Sequence, residues 1–313
     1  MLGYVLRRLA ATVPVMLIVA VFVFLMLRLT PGDPAAVIAG DNANAEQIAA
    51  IRSHLGLDRP ILAQFVIWFG NILHGDFGES FFFKKTVAEL IASRLEPTLA
   101  LSLSTIVIAV AVAVPLGVLA AFKQGTLVDK IVMGFSVLGF SVPVFVIGYG
   151  LIYLFAIKLN WFPVQGYQRL ADGFGGFLHR LVLPSVTLSV IYIALIARMT
   201  RTSVIDVLGE DYIRTARAKG LAQGSILFIH ALKNASVPIV TVIGIGVALL
   251  IGGAVVTESV FAIPGLGRLT VDAILRRDYP VIQGVVLLFS FVYVLVNLAI
   301  DLLYTVLDPR IRY

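Results

Sequence analysis

The sequence of 313 residues has no cysteine and few charges, because only 13% of its residues are Asp, Glu, Lys or Arg. Without cysteine, the chain forms no disulfide bond, thiolate zinc site, iron–sulfur cluster or cysteine nucleophile. Soluble domains carry roughly 25% charged residues, well above the 13% found here. In addition, 59% of the residues are hydrophobic. So few charges do not cover a water-exposed surface of this size. The composition therefore predicts an integral membrane protein.

The short motifs of nucleotide binding and catalysis are also missing. The sequence contains no P-loop, no Gly-x-Gly-x-x-Gly fingerprint and no Gly-x-Ser-x-Gly elbow. Its four histidines, at positions 54, 74, 179 and 230, include no pair at the i, i+4 spacing of a helical zinc site. The net charge of +6 fits basic membrane loops better than nucleic-acid binding. We expect no catalytic residue, metal site, bound cofactor or nucleic-acid partner.

Long apolar runs dominate the rest of the chain. A bilayer core about 30 Å thick needs roughly 20 apolar helical residues, and a barrel would instead show many short alternating segments. The six runs that qualify are residues 9–29, 99–122, 131–157, 181–199, 237–256 and 281–307. The fold is thus predicted to be an all-α polytopic membrane protein with six transmembrane helices. Kinks are expected at Pro14, Pro115, Pro143, Pro184 and Pro238.

The distribution of Lys and Arg predicts the orientation. With both termini in the cytoplasm, the inside segments hold twelve basic residues and the short outside loops hold six. Long loops contribute weakly to this rule, so the long loop after the first run is set aside. We expect four parts: residues 1–29, a periplasmic helical insertion at 30–96, a five-helix core at 97–307, and a cytoplasmic tail at 308–313.

The loop at 30–96 contains signals for two helices. Asn44 is a cap residue for a first helix that Gly56 ends. Asp58 and Pro60 mark the start of a second helix, in which large apolar residues recur at helical spacing. This aromatic stripe comprises Ile61, Phe65, Trp68, Phe69 and Ile72. Two interpretations stay open, packing against the transmembrane bundle or lying on the membrane surface.

The inside loop at 201–235 is the most informative segment. Glu210 precedes Arg214 by four residues, which favours a helical ion pair, and Gly220 suits the end of that helix. A turn at Gly224 and a cap at Ser225 predict a second short helix over 226–234. The resulting protrusion fits a cleft in another protein and is able to transmit a rigid-body displacement. A solvated charged loop is the alternative.

At this loop the sequence resembles the permease subunits of bacterial ATP-binding cassette (ABC) importers, in the dipeptide, oligopeptide and nickel branch. Aligned on Gly220, only Ala216, Gly220 and Leu232 match the generic coupling pattern, while 210–221 and 230–235 resemble the version of that branch. Further matches cover nearly the whole chain. They are Arg7, Arg8; Pro31, Gly32, Asp33, Pro34; Leu55, Gly56, Leu57, Asp58; Gly75, Asp76, Phe77, Gly78; Thr257, Glu258, Val260, Phe261; Pro264, Gly265, Leu266, Gly267, Arg268; Arg277, Asp278, Tyr279, Pro280; and Asp308, Pro309, Arg310.

This resemblance implies a type I ABC importer permease in the bacterial inner membrane. Its partners would be a second homologous permease, two ATPase subunits that bind ATP and Mg²⁺, a periplasmic or lipid-anchored substrate-binding protein, and membrane lipid. The chain itself would be no enzyme and would hold no cofactor. The residues implied in ATPase coupling are Glu210, Asp211, Arg214, Thr215, Ala216, Arg217, Gly220, Leu221 and His230.

The solute is less specified by the sequence. Hydroxyl-bearing side chains in the spans are candidates for the path, namely Ser136, Ser141, Tyr149, Tyr153, Ser185 and Ser189. The leading hypothesis is import of di- or oligopeptides, with glutathione or nickel chelates as alternatives. No histidine or carboxylate lies deep in a span, which favours peptide mildly over nickel. A stand-alone secondary transporter or channel is the alternative of another class.

Overall fold

The computed structural model describes residues 2–29, 34–39, 43–54 and 56–307, and most of these residues are helical. They form two compact units. One comprises the chain up to Glu96 together with Gly265–Val294, and the other comprises Pro97–Pro264 together with the chain from Leu295. Three matched motifs and the tail fall wholly or partly outside the described residues. These are Pro31, Gly32 and Asp33; Leu55; Asp308, Pro309 and Arg310; and the tail 308–313.

The helices follow one another along the chain, with longer connections before α5 and before α8. The α-helices are α1 (Leu2–Arg28), α2 (Pro34–Ala39), α3 (Ala45–His54), α4 (Ile61–Leu73), α5 (Val87–Phe122), α6 (Leu127–Ser141), α7 (Val144–Leu151), α8 (Phe174–Leu208), α9 (Asp211–Ala218), α10 (Gln223–Ser225), α11 (Leu232–Gly253), α12 (Val255–Val260), α13 (Leu266–Leu275) and α14 (Tyr279–Leu307). A π-helical segment, Ile152–Lys158, extends α7, and another, Ile226–Ala231, joins α10 to α11.

The described residues contain five helices long and apolar enough to cross a membrane, and a bent pair that adds a sixth if its halves form one span. The pair corresponds to the third predicted run, which the sequence pattern presented as continuous. The kink expected at Pro143 is confirmed, but it is sharp enough to divide the run, because α6 and the following helix meet at an angle of 103°. Val142 is extended, with φ −91° and ψ 124°, as expected before a proline. The other four prolines in question lie inside continuous helices.

In the first unit, the helices of the long loop form as predicted. The Asn44 side chain accepts a hydrogen bond from the N–H of Gln47 at 2.8 Å, and the Gln47 side chain accepts one from the N–H of Asn44 at 3.0 Å. This reciprocal capping box starts α3. The aromatic stripe of α4 packs against α1, with the Phe24 ring 5.2 Å from Phe65 and 5.5 Å from Trp68. The packing interpretation of the stripe is therefore confirmed.

The second unit is built around α8. Along this 35-residue helix, buried residues recur on several faces, because it contacts α6, α7, α11 and α12. At Gly117 of α5 the approach is so close that a Cβ atom would lie 2.6 Å from Cβ of Thr200 and 2.7 Å from the Ala197 carbonyl oxygen. Glycine at this position allows the backbone of α5 to contact the Thr200 side chain of α8 directly. Such close contacts at small residues are typical of membrane helices.

Candidate coupling site

The short helix α9 is anchored by one buried side chain in an otherwise exposed segment. Ile213 is 0% exposed, whereas Asp211, Arg214 and Arg217 are exposed. The helix contacts the π-helical segment Ile226–Ala231. Burial of a large aliphatic side chain contributes about 2 kcal/mol. The anchor thus fixes one face of α9 and leaves its charged face available to a partner.

A second contact fixes the start of α9. The side-chain amide of Asn234 donates a hydrogen bond to the Tyr212 hydroxyl at 2.9 Å, and to the His230 carbonyl oxygen at 2.8 Å. His230 and Asn234 follow α9 in the chain, so this amide connects the helix to the start of the next span. The His230 backbone therefore supports α9, while its ring is half-buried.

Gly220 ends α9 by the geometry that the sequence predicts. Its φ is +78°, a left-handed conformation that side chains disfavour. The N–H of Gly220 donates to the Arg217 carbonyl oxygen at 3.0 Å, and the N–H of Leu221 donates to the Ala216 carbonyl oxygen at 3.2 Å. These two bonds form a Schellman motif. The helix therefore stops at a defined place and direction.

The segment after Gly220 differs from the prediction. The turn predicted at Gly224 and the cap predicted at Ser225 are both wrong, because α10 begins at Gln223 with Ala222 as its N-cap. Ser225 is already helical, with φ −65° and ψ −41°. Gly220 completes the reversal, so Gly224 needs no special backbone conformation. The helix then continues into α11, which contains Pro238, instead of forming a separate short helix.

The ion pair on α9 also has a different partner. Nη1 of Arg214 donates to Oδ1 of Asp211 at 3.0 Å, whereas Glu210 was the predicted partner. Glu210 occupies the N-cap, with φ −70° and ψ 148°, so its side chain does not lie on the helical face that Arg214 shares. Both charges of the observed pair are highly exposed, and such pairs add little stability. Their charges remain available for binding.

The structure places most of the predicted coupling residues in one largely exposed segment, residues 210–221. Thr215 and Gly220 are exposed with the charged residues, Ala216 is half-buried, and Leu221 is 36% exposed. Sequence reasoning missed Ile213 and Tyr212. The signal for Ile213 was present, because it is a large aliphatic residue flanked by charged and polar ones.

The predicted path residues divide into buried and exposed groups. Ser136, Ser185 and Ser189 are buried, and each is hydrogen-bonded: Ser136 to the Val132 carbonyl, Ser189 to the Val186 carbonyl, and Ser185 to the Ser104 hydroxyl at 2.6 Å. Tyr149 and Tyr153 are 58% and 56% exposed. The exposed Ser141 bonds to the Val137 carbonyl. All four serines are hydrogen-bonded and three of them are buried, whereas Ser141 and the two tyrosines are exposed.

Ionisable residues near the span ends have structural partners. Arg28 donates to the Gln64 side chain at 2.9 Å and lies 3.6 Å from the Phe24 ring centre. Glu258 is 0% exposed and accepts a hydrogen bond from the Thr98 hydroxyl at 2.7 Å. Within the part of the chain that the structure describes, no three His, Asp or Glu residues come together as a metal site.

Comparisons with known proteins show the family to which the chain belongs. The model of the binding-protein-dependent transport system inner membrane component matches residues 113–313. The model for the N-terminal part of such membrane components matches residues 1–102. A probable peptide ABC transporter permease protein of Sinorhizobium fredii is 56% identical over 310 residues, which cover 99% of each chain.

Two further relatives match over the full length of both chains. A putative peptide transport system permease protein of Brucella abortus is 46% identical, and the glutathione transport system permease protein GsiC of Salmonella choleraesuis is 45% identical. The solved MetNI methionine ABC transporter matches 70% of this chain and 96% of its own, with a TM-score of 0.56 and 21% identity, which supports the fold. The chain therefore belongs to the family of binding-protein-dependent transport system inner membrane components, and it is a multi-pass, non-enzymatic permease subunit of an inner-membrane ABC importer, in which separate ATPase subunits hydrolyse ATP.

Proposed function

We propose that this permease subunit pairs with a second homologous permease to form a path for di- or oligopeptides, and that α9 couples this path to an ATPase subunit. The observation that carries the proposal is the construction of α9. A helix held by the buried Ile213 and closed by Gly220 presents a charged, exposed face between two spans. In this scheme α9 and both termini lie on the cytoplasmic side, and the long loop faces the periplasm.

The charges of α9 suit a cleft in a soluble partner. Arg214 and Arg217 are three residues apart on a helix, so their guanidinium groups are neighbours that bind carboxylates or carbonyl groups. Leu221 adds an exposed apolar side chain beside them. A charged rim with a small apolar centre is the usual composition of a protein–protein contact. ATP and Mg²⁺ would be bound by that ATPase partner.

Peptides are the proposed solute class because two of the relatives described above are named for peptide transport and the third for glutathione, itself a tripeptide. A path for peptides needs weak hydrogen-bonding groups that release the solute again. Tyr149 and Tyr153, whose side chains are exposed and carry a hydroxyl group, meet that requirement. Nickel chelates are less favoured, since imidazole and carboxylate ligands suit that ion better than phenols.

The first experiment identifies the assembly and its solute. The tagged chain is purified from native membranes, and we expect a second permease, ATPase subunits and a binding protein to accompany it. The complex is then placed in liposomes and supplied with a dipeptide, a tripeptide, glutathione or a nickel chelate. ATP-dependent uptake of the peptides supports the proposal. If only glutathione or only the nickel chelate is taken up, that compound replaces peptides as the proposed solute. Uptake by the purified chain without partners, driven by an ion gradient, would contradict the whole scheme.

The second experiment tests the α9 contact. Because the chain has no cysteine, Leu221→Cys introduces a single thiol at the end of α9. We expect a thiol-to-amine cross-linker to join this position to an ATPase subunit. Leu62→Cys, at an exposed position on α4, is the matched control and should not join it. Equal cross-linking at both positions, or none at Leu221→Cys in an intact complex, would contradict the assignment of α9.

A further inference from the structure

A bidentate ion pair joins the start of α6 to the late part of α8. Nε and Nη2 of Arg201 donate to the two carboxylate oxygens of Asp129 at 2.5 and 2.7 Å. The Asp129 side chain is 6% exposed and the Arg201 side chain 23%. Two bonds between a planar guanidinium and a carboxylate fix direction as well as distance. The pair therefore holds the two helices in one relative orientation.

The Asp129 carboxylate also holds the turn that precedes α6. The backbone N–H of Gly125 donates to Oδ2 of Asp129 at 2.9 Å. Gly125 has a φ of +80° and lies in the connection between the end of α5 and the start of α6. One carboxylate thus connects the α5–α6 turn, α6 and α8. Such a set of bonds resists relative motion better than an isolated surface pair, which contributes little.

Arg201 lies close to the candidate coupling helix along the chain. From Arg201, α8 continues to Leu208, and only Gly209 and Glu210 then precede α9. The N–H of Gly209 donates to the Ile205 carbonyl oxygen at 3.2 Å, and the N–H of Glu210 donates to the Val207 carbonyl oxygen at 3.1 Å. This connection is hydrogen-bonded throughout. A displacement of α9 is therefore delivered first to the part of α8 that carries Arg201.

We infer that Asp129 and Arg201 are positioning residues that make α6 move together with α8 when α9 is displaced. The inference rests on the proposed coupling role of α9. In this arrangement the pair stays closed through the transport cycle, and α6 follows α8 as one body. Without the pair, only side-chain packing connects the two helices, so the end of α8 is able to shift relative to α6. ATP would then be hydrolysed without the corresponding movement of the spans.

A purely structural role predicts something different. If the pair only stabilised the fold, removing it would lower the amount of assembled complex, while each remaining complex would transport normally. A positioning role instead lowers the amount of peptide taken up per ATP hydrolysed by the assembled complex. The ratio of uptake to hydrolysis, measured on purified complex in liposomes, separates the two roles.

The first test removes one partner at a time, in Asp129→Asn and Arg201→Gln. We expect uptake per ATP to fall about tenfold or more, because each change leaves a charged group without its buried partner. Arg198→Gln removes an exposed arginine one turn earlier on α8 and should keep the wild-type ratio. Arg201→Lys retains the charge but not the bidentate geometry, so its ratio should be intermediate. A wild-type ratio in Asp129→Asn or Arg201→Gln would overturn the inference. The inference would also be overturned if both of these variants failed to assemble while Arg201→Lys had the wild-type ratio.

The second test replaces the ion pair by a covalent link. The double variant Asp129→Cys and Arg201→Cys has the chain's only two thiols, which a short bis-thiol reagent can join. We expect low uptake per ATP before the reaction and a clear recovery after it, whereas the cysteine-free chain should not respond to the reagent. Uptake that stays low in the linked chain would mean that the pair must open, which would overturn the inference.

The Leu221→Cys cross-link distinguishes this inference from the proposed function. It is repeated in the Asp129→Asn background. If the Asp129→Asn chain still cross-links to the ATPase and has the wild-type ratio of uptake to ATP hydrolysis, only the role of the ion pair is contradicted, and the role of α9 stands. Absence of the cross-link in the otherwise wild-type chain would contradict the role of α9 itself. A retained cross-link together with a lowered ratio is the expected result.

Discussion

The left-handed backbone of Gly220, which ends α9, makes this position sensitive to substitution. Its φ of +78° costs a non-glycine residue about 1–2 kcal/mol. A Cβ atom at this position would meet no heavy atom within 4 Å. The penalty of Gly220→Val is therefore conformational and not steric. A cost of this size changes the ratio of correctly closed to frayed α9 by roughly 5- to 30-fold.

We expect Gly220→Val to lower ATP-dependent peptide uptake by up to that factor while the complex stays assembled and continues to hydrolyse ATP. The reason is that two hydrogen bonds depend on Gly220, those to the Arg217 and Ala216 carbonyls. Their loss frays the end of the helix that is proposed to enter the ATPase cleft. The assay is uptake and ATP hydrolysis measured on the same proteoliposomes.

Gly224 supplies the matched control. It is exposed and also has open space around its missing Cβ, but it lies inside a helix. Gly224→Val should thus leave uptake unchanged, since helix interiors accept valine somewhat better than glycine. Gly220→Asn should retain most of the activity, because asparagine tolerates the left-handed region. Equal uptake in Gly220→Val and wild type, or equal losses in both valine variants, would refute the conformational argument.

Two further predictions concern the stability of each unit. Gly117→Ala should lower the free energy of unfolding of the purified complex by about 1–3 kcal/mol through overpacking. Gly134→Ala is the control, because its Cβ atom would meet no atom within 4 Å. Equal melting temperatures of the two variants would contradict the close approach at Gly117. Asp278→Ala removes the buried acceptor of the Ser80 hydroxyl and of the Phe82 N–H, and should cost about 1–3 kcal/mol. The measurement is the rate of limited proteolysis in the segment around Ser80, and a rate in Asp278→Ala equal to that of the wild type would contradict this second prediction.

The sequence predicts the features that depend on local chemistry. Six apolar runs correspond to five long helices and one bent pair, because a lipid environment imposes a minimum length on any helix that crosses it. The cap at Asn44 and the stop at Gly220 are likewise determined by residues next to them. These signals need no knowledge of the rest of the fold, which is why they were readable.

Features that depend on contacts between residues far apart in the chain could not be predicted from the sequence. The proline pattern indicated a kink at Pro143 but not a bend of 103°, since proline removes a hydrogen bond without fixing the angle that neighbours impose. Asp129 and Arg201 are 72 residues apart, and no local pattern pairs them. The start of α10 at Gln223 was also missed, because Ser225 has the residue type preferred at a cap while the turn was already complete at Gly220.

The energetics of α9 show why its connections matter as much as its charged face. A switch between two conformations from 1:99 to 99:1 needs a difference of about 5.5 kcal/mol. The burial of Ile213 contributes only about 2 kcal/mol, so this anchor alone would be too weak to transmit the switch proposed for α9. The remainder has to pass through the covalent ends of α9. At one end Gly209 and Glu210 continue the hydrogen bonds of α8, and at the other Gly220 closes the helix. In the proposed coupling, a displacement of α9 is therefore passed directly to α8, whereas on the other side it passes through Leu221 and Ala222 before α10 begins.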